Sequence, residues 1–186
     1  MMKKLFACLC LLIALPASAM DCSNMWDWAT AACQRVDKIN REGKNDLLLS
    51  GYSWHDRSTY TAEKLEDFQE FAYGGGLGKR ISDENNNQEF IYGMIFADSH
   101  NQPQLQVGYM RLWYWPIVGE LSAGLGVSLQ LISRQDVIGG IPFPAPLPIA
   151  SIRYGKASLI GTFIPRLNGQ LNNGNVAYVF GRYEFD

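Results

Sequence analysis

Between residues 120 and 133 the chain alternates without interruption. Leu121, Ala123, Leu125, Val127, Leu129 and Leu131 make one set, and Ser122, Gly124, Gly126, Ser128 and Gln130 the other. A two-residue period puts the sets on opposite faces of a β-strand, one turned to an apolar medium and one to small or polar neighbours. The tail repeats the device, with Ala177, Val179, Gly181, Tyr183 and Phe185 against Arg182 and Glu184, after the turn signal Asn172-Asn173-Gly174-Asn175. Read this way, the chain holds eight strands, at about 47–55, 71–82, 88–97, 104–115, 120–133, 147–154, 157–165 and 175–185. Short connections at 85–87, 116–119 and 155–156 alternate with long ones at 56–70, 98–103, 134–146 and 166–174. An up-and-down barrel in an outer membrane does this, with tight periplasmic turns and longer outer loops. The predicted fold is all-β, an eight-stranded antiparallel transmembrane β-barrel.

The inner faces carry a second message. Gly74, Gly76, Gly78 and Arg80 oppose Phe71, Tyr73 and Leu77, and small inward residues leave space in a barrel of this size. Residues 88–97 are apolar on both faces, Phe90, Tyr92, Met94 and Phe96 against Ile91, Gly93, Ile95 and Ala97. A packed core and a dry slot for a hydrocarbon chain account for this equally well.

Before the strands, residues 24–40 read as an amphipathic helix. Met25, Trp28 or Ala29, Ala32, Val36 and Ile39 recur at three- and four-residue spacing, with Ser23 or Asn24 as cap. Trp26 and Trp28 suit a membrane interface, although the segment taken alone fits a helix docked on a soluble core slightly better. Met1-Met2-Lys3-Lys4, the apolar run 5–15 and Ala17-Ser18-Ala19 form a secretory signal cut after Ala19. The expected divisions are therefore signal 1–19, helix and linker 20–46, and barrel 47–186.

Composition adds limits. Loss of Lys3 and Lys4 takes the formal charge from −2 to −4, which argues against a nucleic-acid partner. Cys8 and Cys10 leave with the signal. In one continuous helix Cys22 and Cys33 would stand about 16 Å apart, against the roughly 7 Å that a disulfide allows. A bridge needs the preceding segment to fold back, so the simpler expectation is two unpaired cysteines.

Candidate chemistry gathers where strands meet long loops. Trp54-His55-Asp56-Arg57 closes the first strand and Asp98-Ser99-His100 follows the third. A Ser, a His and a carboxylate at one rim fit acyl transfer, with His as base, Ser as nucleophile or polariser and Asp as orienter. By spacing alone the signal is weak, because histidines at barrel rims are common.

These residues also carry a resemblance. Ser53-Trp54-His55-Asp56-Arg57, Gly74-Gly75-Gly76-Leu77-Gly78, Phe96-Ala97-Asp98-Ser99, Ile141-Pro142-Phe143-Pro144, Leu147-Pro148-Ile149-Ala150-Ser151, Phe163-Ile164-Pro165 and Asn172-Asn173-Gly174-Asn175-Val176 occur in order. Over about residues 47–185 the sequence resembles the PagP family of outer-membrane lipid A palmitoyltransferases. The resemblance implies a tilted barrel preceded by a periplasmic helix. It implies a glycerophospholipid acyl donor and a lipid A acceptor, with resistance to cationic antimicrobial peptides as the consequence. The family's functional rim residues fall on His55, Asp98 and Ser99, and no cofactor or metal is implied. A monomer surrounded by outer-membrane lipid is expected. His100 has no counterpart and reads as a solvated loop residue.

Departures from the family refine the expectation. A glycine that floors the acyl pocket is replaced by Met110, in Gly108-Tyr109-Met110-Arg111. A methionine fills roughly three to four methylenes of length, so the resemblance implies a chain several carbons shorter than palmitate. A two-residue shift of register would put Gly108 at the floor instead. Pro148 and Pro165 match one pair of prolines that open a lateral gap for lipid, whereas the other pair is lost, at Ser50 and Ala72. Arg134 matches a basic residue placed to hold a phosphate. The alternatives are a non-catalytic barrel, adhesin or lipid-binding, and a secreted lipocalin-like carrier with a wet outer surface.

Overall fold

The computed structural model describes residues 19–23, 25–135, 137–167 and 174–185, in two compact units that divide after Gly43. Residues 1–18 of the signal and Asn172-Asn173 of the expected turn lie outside the described residues, as does Asn24.

In the first unit, α1 spans Asp27–Glu42. Trp26 occupies the cap position without a side-chain cap, so the expected cap Ser23 does not hold it. Ser23 instead donates through its amide and hydroxyl to Asp21 Oδ1, at 2.9 and 2.6 Å. Because the helix begins only at Asp27, the chain before it folds back along it. Met20 N donates to Asp37 Oδ1 at 2.8 Å, and Cys22 is bridged to Cys33 with Cα atoms 5.8 Å apart. The expectation of unpaired cysteines is thus corrected. It assumed a helix running through Cys22. Trp26 and Trp28 stay exposed, their rings 6.0 Å apart.

The second unit is the barrel. Its strands are β1 Lys44–His55, β2 Gly74–Ser82, β3 Gln88–Ala97, β4 Pro103–Val118, β5 Leu121–Ser133, β6 Phe143–Tyr154, β7 Ala157–Ile164 and β8 Val176–Glu184. Each pairs antiparallel with the next, and β8 closes on β1 from Asp46↔Glu184 to His55↔Val176, with a bulge between Leu49 and Tyr52. Local chemistry sets the short turns. Gly119 and Gly155 supply a φ of +54° in the two-residue turns after β4 and β6. The β2–β3 turn is tied by Asp83, which accepts from the amides of Asn85 and Asn87 at 2.9 Å. The β1–β2 connection contains a short helix, α2 Ala62–Glu66, capped by Thr61.

The two faces separate as the period requires. Leu125, Val127, Leu129 and Leu131 are exposed, while Ser122, Ser128 and Gln130 are buried inside. The inner face of β3 is filled: Phe90, Tyr92, Met94 and Phe96 join Leu48, Met110, Leu112, Ile149, Ile160, Tyr178 and Phe180 in one apolar cluster. Toward the short turns this cluster gives way to buried charge, Asp46, Arg80, Arg182 and Glu184.

Candidate active site

His55 is the last residue of β1 and is buried. Ring centroids of Phe68 and Tyr60 lie 4.4 and 5.4 Å from its own, which fixes the plane of the imidazole. Ser99 Oγ sits 2.9 Å from Nε2. The β1–β2 and β3–β4 connections are joined at that serine, where Gln69 N donates to Ser99 O at 2.8 Å.

Beyond the ring, Glu70 Oε1 is 3.3 Å from Nδ1 and accepts from the His55 amide at 3.1 Å. Arg57 grips both oxygens of that carboxylate, the second at 2.9 Å, and also donates to His55 O at 2.7 Å. Tyr52 OH donates to Glu70 Oε2. Arg57 above all, then Tyr52 and the His55 amide, hold the Glu70 carboxyl far below the usual carboxylate range, against the opposing effect of burial.

Two of the expected residues, His55 and Ser99, are therefore in contact, and the carboxylate facing Nδ1 is Glu70. Asp98 is buried beside them but serves its own loop. Its Oδ1 accepts from the amides of His100 and Gln102, at 2.9 and 2.8 Å, while Oδ2 is buried without a hydrogen-bond partner. His100 is exposed, as expected of a loop residue, with its ring edge-on to Phe68 at 5.6 Å. Arg134 follows β5 directly, and its charge reaches the Tyr60 phenol, which burial pushes up and Arg134 draws back. Among the described residues no His, Cys, Asp and Glu side chains are grouped to hold a metal.

Two seams in the barrel wall lead to this rim. The β6–β7 ladder runs from Tyr154↔Ala157 to Ile149↔Thr162 and stops at Pro148. Beyond it β6 pairs only with β5, back to Phe143, and β7 ends just before Pro165. Pro144, Pro146 and Pro148 are exposed and have no N–H to offer a neighbour. The β1–β2 ladder also stops short, at Leu49↔Gly75. That seam is stitched: Ala72 N donates to Gly51 O at 2.9 Å, Ser53 N to Glu70 O at 2.8 Å, and Tyr52 bridges to Phe71. A proline at 72 could not make the first of these bonds.

Below the rim, Met110 points inward between Phe90 and Ser128 on the neighbouring strands and is fully buried. Gly108 faces inward too, but its space is taken. Tyr92 reaches past it from β3 to give its hydroxyl to Gln130 on β5, and Gln106 Nε2 donates to that phenol at 2.9 Å. A Cβ on Gly108 would meet the Gln130 Cβ at 2.8 Å.

A closed barrel with Leu105, Val107, Trp115, Leu125, Leu129, Leu159 and Phe163 turned outward would expose far more apolar surface than water tolerates. Fold and surface define a lipid-facing barrel of the outer-membrane type, with a Ser–His–carboxylate chain at one rim. Comparison with known proteins is more specific. A family described as antimicrobial peptide resistance and lipid A acylation protein PagP matches residues 35–182. A lipid A acyltransferase PagP of Bordetella parapertussis is 45% identical over 174 residues, 94% of each chain. One from Legionella longbeachae is 44% identical over 83% of this chain and 66% of its own. One from Legionella pneumophila is 38% identical over 97% of this chain and 98% of its own. The chain belongs to the PagP family.

Proposed function

We propose that the protein moves an acyl chain from a glycerophospholipid to lipid A in the outer membrane, and so strengthens that barrier against cationic antimicrobial peptides. The observation that carries this is the Ser99–His55 contact of 2.9 Å at the rim of a lipid-facing barrel, above an apolar interior. Ester exchange needs little more. A hydroxyl attacks the donor's carbonyl carbon and loses its proton to His55 Nε2. The ester C–O bond then breaks, and the proton passes to the departing lysophospholipid oxygen. Ser99 acts either as that hydroxyl, forming an acyl-enzyme whose ester a lipid A hydroxyl then attacks while His55 returns a proton to the freed serine, or as a polariser of the lipid A hydroxyl. Asp98 holds the turn that presents Ser99. A non-catalytic adhesin or lipid-binding barrel gives no reason for a histidine wedged against a serine.

The interior receives the acyl tail, with Met110 as its floor. Tyr92 and Gln130 already cover Gly108, so the glycine itself opens no pocket. The β6–β7 seam between Pro148 and Pro165 admits lipid from the side, and Arg134 meets a phosphate of donor or acceptor. The protein works as a monomer, in which the ring of eight strands is completed within one chain.

The test is mass spectrometry of lipid A incubated in detergent micelles with phospholipid and the purified protein. Lipid A should gain the mass of one acyl chain, and Ser99→Ala and His55→Asn should abolish the gain. No gain with the unaltered protein would refute the activity. Met110→Gly should lengthen the preferred chain by roughly three to four methylenes, and an unchanged preference would remove Met110 from the floor.

A further inference from the structure

The rim contains a carboxylate that the family resemblance did not supply. We infer that Glu70 is the positioning residue of this site: it holds the His55 imidazole with its proton on Nδ1 and its Nε2 lone pair turned to Ser99. The inference rests on the acyl-transfer reading for its catalytic meaning, but not for its geometry.

An imidazole can serve as base only through the nitrogen that lacks a proton, and the partner of the other nitrogen decides which that is. Nε2 faces the Ser99 hydroxyl at 2.9 Å, and Nδ1 faces Glu70 Oε1 at 3.3 Å. An ionised carboxylate only accepts hydrogen bonds, so the proton must stand on Nδ1. Glu70 remains ionised, because Arg57 and Tyr52 donate to it. The charged groups around the ring are Glu70 and Arg57, with the Tyr60 phenol packed on its edge and Arg134 beyond.

Position is over-determined as well. Residues 70–72 run antiparallel to 51–53, tied by Ser53 N to Glu70 O and by Ala72 N to Gly51 O. The stitch that closes the β1–β2 seam is thus what delivers Glu70 to His55. Phe68, two residues earlier, lies against the ring itself. Asp98 shows no such relation. Its bonds go to the amides of its own loop.

Imidazole ¹⁵N NMR of the protein in micelles reads the tautomer directly. Only His55 and His100 contribute, and His100→Asn assigns them. The unaltered protein should show the Nδ1–H form. In Glu70→Leu nothing accepts from Nδ1, so the Nε2–H form should appear and acyl transfer should fall by roughly 10²–10⁴-fold. Glu70→Asp keeps a carboxylate and should keep the Nδ1–H form, and so should Asp98→Asn. Circular dichroism verifies that each variant is folded. Transfer lost without a change of tautomer in Glu70→Leu would overturn the inference, and so would full activity in that variant. Should the unaltered protein transfer no acyl chain at all, the proposed function fails, while the tautomer measurement, which needs no substrate, still decides the role of Glu70.

Discussion

At the short-turn end of the barrel Arg182 is wholly buried, whereas at the long-loop end Arg57 lies half in the open. Both arginines hold carboxylates, yet the two clusters are built on opposite plans. Toward the short turns, Arg80 and Arg182 each reach Asp46 and Glu184, at 3.2 and 3.2 Å for the first and 3.6 and 2.5 Å for the second. Gln88 and Ser158 add bonds to Glu184 and to Arg182 Nη2. Asp46 Oδ2 and Arg182 Nε and Nη1 are left without hydrogen bonds, and the Phe90 ring faces the Arg182 guanidinium at 5.0 Å. Two positive groups meet two negative ones, and apart from the Arg80 bond to Ser82 Oγ at 3.2 Å the bonds end inside the cluster. At the rim the chain runs outward, from Arg57 through Glu70 and His55 to a partly exposed hydroxyl. Buried charge alone therefore marks no active site. What separates the clusters is whether the bonds end on a group that a substrate can reach.

The comparison breaks most readily by substitution at both ends. Ser99→Ala should lower acyl transfer by roughly 10²–10⁴-fold and leave the unfolding midpoint in denaturant unchanged. Arg182→Met should do the reverse. Leaving Asp46 and Glu184 to share Arg80 alone buries one uncompensated charge and costs about 3–5 kcal/mol, while turnover per folded molecule stays the same. Replacing Arg80, Arg182, Asp46 and Glu184 together by apolar residues should cost less than Arg182→Met alone, because no charge is stranded. If Arg182→Met instead silenced the folded enzyme, the distinction between the two ends would be lost.

Legibility in the sequence followed the same division. The strands were readable because lipid on one face enforces a strict period over many residues. The misses have local causes. β6 begins at Phe143 and not near 147, because prolines on a strand with no β7 partner look like a loop. β1 begins at Lys44, where Lys44-Asn45-Asp46 reads as linker although Asp46 points into the barrel. At the rim, His55 and Ser99 sit at strand ends and could be named. Glu70 could not, since it lies 15 residues from His55 on an aperiodic connection. Asp98 took its expected role from the Asp98-Ser99-His100 run and from the family resemblance. The inward charges Arg182 and Glu184 were visible as an alternate face, but not that they would meet Asp46 and Arg80.

A smaller effect is expected at the stitched seam. Ala72→Pro removes the bond to Gly51 O, worth about 1 kcal/mol net, and loosens the backbone that carries Glu70. Transfer should fall several-fold, with lipid gaining a second way in between β1 and β2. The corresponding change on the other seam, Pro148→Ala, restores an N–H that has no β7 partner beyond Ile149↔Thr162, so it should alter stability little. Hydrogen exchange at Gly75 and Tyr73 separates the two outcomes. Faster exchange in Ala72→Pro alone is expected, and equal exchange in both variants would mean that the two seams are alike.

The smallest effect is the most specific to the rim. Because Arg57 holds the Glu70 carboxyl far below its ordinary value of about 4.3, the folded state keeps this carboxylate ionised where the unfolded chain has already taken up a proton. The stability it lends is therefore complete above about pH 4.3 and is lost as pH falls from there toward the folded value. Glu70→Gln removes the titrating group. The gap in unfolding free energy between the two proteins should be constant near neutrality and narrow progressively below about pH 4.3. Added salt should shrink it, because Arg57 is half exposed and its charge is screened. Arg182→Met should show no such sensitivity to salt, since Arg182 is shut away from solvent ions. A gap that widened on acidification would mean that Glu70 is not held as the carboxylate of an ion pair, and the rim would then be no more than a neutral hydrogen-bonded loop.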